Sequence, residues 1–353
     1  MDEKRGFGYR SLFWPIVMIG VGVIWLLANM GIVETSSLRI LLRMWPLILI
    51  VIGLDIIFGR RSPILGALIG LGALALVVAL VILAPSMGIE PNGELRTLEY
   101  SEPIGEAVSA RIDLDLERYP TTVEALSDSD LLIDATLDTV TDVDFTVRGA
   151  QEKTVSIRPV SDVTFGLDWF DVVDAKWEIG LSPEVPLDLT VDIGSGSATL
   201  DLAELILTEL EIDGGSGSTR LSLPAMADEY AVQIDGGSGS LNIDIESGAA
   251  ISAVVDVGSG SFDIEIGSSS DGEWRIDGGS GSLSINVSDD VGVRVVVTSS
   301  GSGSVNVPSS YQLVDDRGDT DRDTGIWESD DYSGALHRIE IDFDPGSGSF
   351  SLR

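Results

Sequence analysis

Cysteine is absent from the 353 residues, histidine occurs once (His337), and lysine occurs three times against eighteen arginines. Without cysteine there is no disulfide framework and no thiol nucleophile, and with one histidine a structural zinc site has too few ligands. A Ser-His-Asp arrangement would rest on His337 alone. The sequence has neither a GxSxG elbow nor a GxxxxGK[ST] phosphate loop. The chain is therefore expected not to be an enzyme, with no catalytic, cofactor-binding or metal residues and no cofactor. Positive charge is scarce too. Beyond residue 88 there are 53 acidic side chains and 14 basic ones, a formal charge of −39. Such a surface repels nucleic acid and anionic headgroups while staying soluble. No small-molecule substrate is implied.

Residues 1–88 are of another kind, with four acids (Asp2, Glu3, Glu34, Asp55) against seven basic residues. Three apolar runs, about 12–33, 40–58 and 64–84, each approach the ~20 residues that cross a bilayer as a helix. The first is too long for a signal peptide, lacks a small-x-small cleavage site and is followed by two more. Lys4, Arg5 and Arg10 precede the first run, and Arg60 with Arg61 separates the second from the third. These five cations place the amino terminus in the cytoplasm and the rest outside, against two (Arg39, Arg43) that favour the reverse. The expectation is a multi-pass membrane protein with an extracytoplasmic carboxy-terminal domain. Within the membrane part, "FWPIVMIGVGVIWL" (13–26) matches "MWPLILIVIGLDII" (44–57), each Trp-Pro falling near the start of a span.

The remainder contains a stronger repeat. Gly-Ser-Gly-Ser begins at residues 194, 215, 237, 258, 279, 301 and 346. Spacings of 21 or 22 residues, and finally 45, are those of a solenoid. Apolar residues alternate on both sides of each tetrapeptide. Three positions before it stand Val191, Ile212, Ile234, Val255, Ile276, Thr298 and Phe343; four positions after its first glycine stand Ala198, Thr219, Leu241, Phe262, Leu283, Val305 and Phe350. Period two means strands with one buried face. The apolar parity changes across the tetrapeptide, so each copy is predicted to be strand, sharp corner, strand and a variable return. Glycine supplies the backbone freedom for the corner. The fold class expected is thus a membrane α-helical region with three transmembrane helices, then an all-β domain, a β-solenoid or β-helix of 21–22-residue rungs. The domain limits expected are 1–88 for the membrane region, 89–190 for a less regular β part that caps the solenoid, and 191–353 for the repeats, with an insertion at about 308–334.

Two acidic features invite a metal reading. "DTDRDTGIWESD" (319–330) approaches a calcium loop, but Gly325 falls one place late and no helices flank it, so a solvated acidic loop is the usual alternative. An aspartate stands two residues before most of the corners (Asp192, Asp213, Asp235, Asp256, Asp277, Asp344), with Ser299 in the sixth copy. Asx-type bonding to corner amides is the favoured role, with a stacked cation site as the alternative.

Taken together, the paired Trp-Pro spans, "WEIGLSPEVPLDLTVDIGSGSATLDL" (177–202) and "GIWESDDYSGALHRIEIDFDPGSGSFSLR" (325–353) resemble the bacterial LiaI/LiaF-type membrane proteins with a toast-rack, adhesin-like β-helix ectodomain. The resemblance covers nearly the whole chain and implies a cell-envelope protein with a stress-sensing or regulatory role exercised through protein–protein contact. It implies a membrane histidine kinase or another envelope-stress protein as partner. Three predicted spans stand where better-known members are drawn with four. The alternative reading is a cell-surface adhesin or structural solenoid without a signalling partner.

Overall fold

The computed structural model describes residues 95–353 apart from 128–129, 161–174, 299–300 and 317–323, together with residues 18, 68–73 and 75, which are helical. Among the described residues no helix is long and apolar enough to cross a membrane. Apart from those few positions, the predicted spans lie outside the described residues. One of the two units of the chain comprises Leu95–Asp162 and Val173–Arg353, and it is all-β.

It opens with β1 (Arg96–Pro103), β2 (Ser109–Asp115), β3 (Thr121–Ala125), β4 (Leu131–Thr139), β5 (Val143–Arg148), β6 (Glu152–Pro159) and β7 (Trp177–Leu181). The repeats follow as strand pairs: β8 and β9 (Leu187–Ile193, Ala198–Asp201), β10 and β11 (Leu207–Gly214, Ser218–Leu223), β12 and β13 (Tyr230–Asp235, Ser240–Ile245). Next come β14 and β15 (Ala250–Asp256, Ser261–Ile266), β16 and β17 (Asp271–Asp277, Ser282–Val287), and β18 and β19 (Gly292–Val297, Ser304–Asn306). The last four strands are β20 (Gln312–Asp315), β21 (Gly325–Glu328), β22 (Arg338–Asp344) and β23 (Ser349–Leu352). The first strand of every pair joins a 12-stranded sheet and the second an 11-stranded sheet. Equivalent strands run parallel and in register, as in Ile212↔Ile234 and Ile234↔Val255.

The inner column follows from the sequence alternation. Tyr230, Val232 and Ile234 are buried before the corner, and Leu241, Ile243 and Ile245 after it. Each fully buried side chain of this size contributes about 1.5–3 kcal/mol, so every rung is held on both sides of its corner. The corner itself stays inside the backbone ladder: Ser238 N donates to Gly215 O (3.0 Å) and Ser240 N to Gly217 O (3.1 Å). Gly237, Gly258 and Gly279 take φ of 45°, 61° and 49°, the left-handed region where glycine carries no penalty. A flexible linker would need none of this.

The order of the rungs departs from the order of the chain. A simple stack would put the final rung at the end, but β22 lies between β16 and β18, and β23 between β17 and β19. Ser347 N bonds Gly279 O (2.7 Å) on one side, and Ser302 N bonds Gly346 O (3.0 Å) on the other. Beyond β18 the 12-stranded sheet ends in the antiparallel hairpin β20–β21, which is built from the insertion. The sixth copy also corrects an alignment. Val297, not Thr298, pairs with Phe343 and is buried, while Thr298 is exposed. One extra residue before Gly301 shifts that copy by one place, so Thr298 and not Ser299 is the counterpart of the aspartates.

The opposite end repeats the device. β2 and β3 form a rung flanked by β8 and β9 on one side and by β6 and β7 on the other. β4 and β5 then add antiparallel strands, β5 closing the 12-stranded sheet while β1, antiparallel to β4, closes the 11-stranded one. The corner between β2 and β3 reads Leu-Glu-Arg-Tyr-Pro, and Glu117 at φ 44° takes the left-handed position without glycine. Lys153 is buried in β6, where its Nζ donates to Glu102 Oε1 (2.5 Å) and Pro103 O (2.6 Å).

Candidate functional site

The corner ridge is the most regular surface of the domain, and the stacking builds it. Because strands repeat every ~4.8 Å, the aspartate before each corner falls into one column: Asp115, Asp192, Asp213, Asp235, Asp256, Asp277 and Asp344, each paired with the next. Asp115, in the rung without Gly-Ser-Gly-Ser, extends a column that the repeat spacing alone did not include.

The carboxylates do two different things. Asp256 Oδ1 accepts from Gly258 N (2.8 Å) and Asp277 Oδ1 from Gly279 N (3.1 Å), the Asx arrangement. Toward the other end Asp115 is half-buried, and Asp192, although largely exposed, stands among neighbouring carboxylates and is partly desolvated. Burial, then the charges of Asp115, Asp213 and Asp113, push the Asp192 carboxyl above the usual range. Burial and the neighbouring Glu117 charge push Asp115 up likewise.

The sign follows from proton binding. A raised folded-state value means that the folded protein holds the proton more tightly than the unfolded chain, so stability falls as pH rises through the window between them. Asp192→Asn is therefore expected to raise the melting temperature at pH 7, by an amount equivalent to roughly 0.5 kcal/mol. The gain should vanish near pH 3. Asp256→Ala, which removes an Asx bond, is expected to do the opposite by about 1 kcal/mol. Thermal melts of both variants at the two pH values check this pair, and equal shifts of one sign would sink it.

On the next strand the ridge continues as serines. Ser240 Oγ donates to Ser218 Oγ (3.0 Å), and Ser282 Oγ to Ser261 Oγ (3.2 Å). The second, third and fourth residues of the last four corners line an open groove of about 600 Å³. A separate cleft of about 550 Å³ gathers Asp289, Asp290, Tyr311, Asp330, Asp331 and Arg353. Burial, then the Asp289 charge, push the Tyr311 phenol up.

The remaining predicted features are placed as follows. His337 Nδ1 lies 2.8 Å from Asp271 Oδ2, and Asp271 Oδ1 accepts from Arg338 N (2.8 Å), so the ring ties the start of β22 to β16. Of the acidic loop, Asp319, Asp321 and Asp323 lie outside the described residues, while Asp330 Oδ1 accepts from Gln312 Nε2 (2.9 Å). Among the described residues no three potential ligands converge on a metal position. The pairing of His337 with Asp271 escaped the sequence because the residues are 66 apart and meet only through the out-of-order rung.

Comparison with known families decides what this architecture is. Residues 13–91 match the LiaF transmembrane domain, and residues 96–244 match the N-terminal toast-rack domain, DUF2154. The chain is a LiaF-type toast-rack protein. It joins a membrane-associated amino-terminal region to an all-β toast-rack domain. Among solved structures, the toast-rack protein is similar to a candidate cell adhesion protein from Clostridium sporogenes (13% identity over 73% of this chain and 99% of that one, TM-score 0.36). It is similar also to a candidate adhesin from Bacteroides fragilis (12%, 74% and 99%, 0.34) and to a candidate lipid binding protein from Parabacteroides distasonis (14%, 73% and 98%, 0.28). No curated protein matches the toast-rack chain. At these scores the structures lend no functional argument, and the identification rests on the two family matches.

Proposed function

We propose that this protein is a non-enzymatic accessory component of a bacterial envelope-stress response. Residues 12–33, 40–58 and 64–84 cross the membrane with the amino terminus in the cytoplasm, and the β-domain stands outside. The helices contact a membrane partner, a histidine kinase in this reading, and the solenoid senses or scaffolds at the surface. The observation that carries the proposal is the succession of a LiaF transmembrane match and a toast-rack match along one chain. The excess of Lys and Arg before the first span and between the second and third supports the orientation. The strongly acidic β-domain suits an aqueous exterior.

Two experiments test it. Protease added to intact cells is expected to cut within the insertion at 308–334; protection there, with cutting after lysis, would reverse the orientation. Photocrosslinkers in the first two spans are expected to capture a histidine kinase. If they capture none, and deletion of the gene leaves stress-induced transcription unchanged, the signalling reading fails. Binding of residues 89–353 to cell-wall polymer would then favour the adhesin or structural alternative.

A further inference from the structure

The out-of-order rung leaves two strand pairs, β16–β17 and β18–β19, separated by a slot that β22–β23 fills. We propose that β22–β23 is a displaceable insert, and that the domain has a second, shorter stack in which β18–β19 closes directly onto β16–β17. This inference concerns the fold and stands independently of any signalling role.

Four observations point the same way. The first is connection length. The return from β17 to β18 has the four residues 288–291, as many as the returns 246–249 and 267–270, each of which climbs a single rung. Here the same length spans two.

The second is register. β22 meets β16 through Gly272↔Ile339, Trp274↔Ile341 and Ile276↔Phe343, and β18 meets β22 through Val293↔Ile339, Val295↔Ile341 and Val297↔Phe343. Removing the insert brings Val293, Val295 and Val297 opposite Gly272, Trp274 and Ile276 with the alternation intact.

The third is charge. The insert sets Glu340 beside Glu273 and Asp344 beside Asp277, like charges in register that are unfavourable, while it also sets Asp342 beside Arg275 and Glu340 3.9 Å from Arg294. Closure would place Arg294 opposite Glu273 and Thr298 opposite Asp277.

The fourth is hydrogen bonding. Ser284 Oγ in β17 and Arg294 Nε in β18 are the two buried side-chain polar atoms without a hydrogen bond among the described residues. They lie on the two walls of the slot. In the present stack Ser284 faces Ser351, and Arg294 lies 3.7 Å from Glu328 and 3.9 Å from Glu340; closure sets Ser284 opposite Asn306 and Arg294 opposite Glu273 instead.

What holds the insert is burial. Ile339, Ile341, Phe343, Phe350 and Leu352 are all buried, and the two phenylalanine rings stack at 4.5 Å. His337 and Arg338 fasten its start to Asp271. Two packings of one sequence thus compete: the present one keeps apolar burial and the Arg294–Glu340 and Arg275–Asp342 pairings, and the shorter one relieves the Glu273–Glu340 and Asp277–Asp344 repulsions. That is the condition for a bistable element.

The absence of cysteine makes disulfide trapping clean. Ser282 pairs with Ser349, and Ser349 with Ser304. Cysteines at 282 and 349 are therefore one strand spacing apart, within disulfide reach, while 282 and 304 are two apart and out of reach. In the full chain in membranes, S282C/S349C is expected to link within one molecule and S282C/S304C to stay largely reduced. In the F343A/F350A background, and in a chain stopped before Arg338, S282C/S304C should become the dominant intramolecular link, rising at least tenfold. S261C/S282C reports whether the preceding rungs remain stacked. If that control links while S282C/S304C stays reduced in both backgrounds, closure does not occur and the proposal is overturned. Loss of the control link in both backgrounds overturns it as well, because the stack would then depend on the insert.

Discussion

Gly217→Ala is expected to weaken the solenoid by about 3 kcal/mol or more, at the upper end of what overpacking usually costs. A Cβ at Gly217 would overlap the carbonyl oxygen of Gly196 in the rung beneath, and backbone cannot rotate away as a side chain can. Rungs contact only their neighbours, so the damage should concentrate at that interface. Hydrogen exchange in β9 and β11 is expected to rise well before exchange in β15 and β17. Two controls separate the causes. Gly248→Ala meets nothing within 4 Å but sits at φ 89°, so only conformational strain of about 1–2 kcal/mol should appear. Ser216→Ala, on an exposed corner position, should stay within about 0.5 kcal/mol of the parent. A Gly217→Ala protein as stable as Ser216→Ala would refute the close-stacked corner.

Trp177→Ala should be comparably severe, at about 3–5 kcal/mol for a buried aromatic. Trp177 is fully buried in β7 and stacks on Tyr119 at 5.2 Å, and its Nε1 donates to Asp138 O (3.2 Å). It therefore joins the β2–β3 corner to the antiparallel cap. Trp177→Phe keeps most of the apolar volume and loses the hydrogen bond, so it should recover more than half of the loss. Urea unfolding of the two variants checks the ratio. Equal destabilisation would shift the weight from packing to the Nε1 bond.

Much of this fold was legible because its repeat is written in two independent codes. Alternation fixed the strands and the buried face, and the recurring tetrapeptide fixed the corners. Where one code lapses, reading fails in a definite way. The extra residue before Gly301 kept the tetrapeptide but broke the phase, so Thr298 was aligned with core residues when Val297 holds that place. The Leu-Glu-Arg-Tyr-Pro corner kept the phase but lost the tetrapeptide, so residues 89–190 read only as a less regular β part and the β2–β3 rung within them went unseen. Rung order was hidden for another reason. Every Gly-Ser-Gly-Ser corner fits every other, so nothing local states that Gly346 stacks on Gly279 and that Gly301 stacks on Gly346. The aspartate column was visible as a spacing, but its division into Asx bonding at Asp256 and Asp277 and crowding at Asp192 depends on local solvation.

The interleaved end also has a consequence for synthesis. β16 and β17 are complete once Val287 has emerged, but the rung that stacks on them ends at Leu352. At ~5–20 residues per second those 65 residues take roughly 3–13 s. During that time the growing chain presents a parallel β edge with unpaired amides and carbonyls, the kind of surface that recruits other strands. Provisional docking of β18–β19 would cover this edge until β22–β23 arrives to take its place.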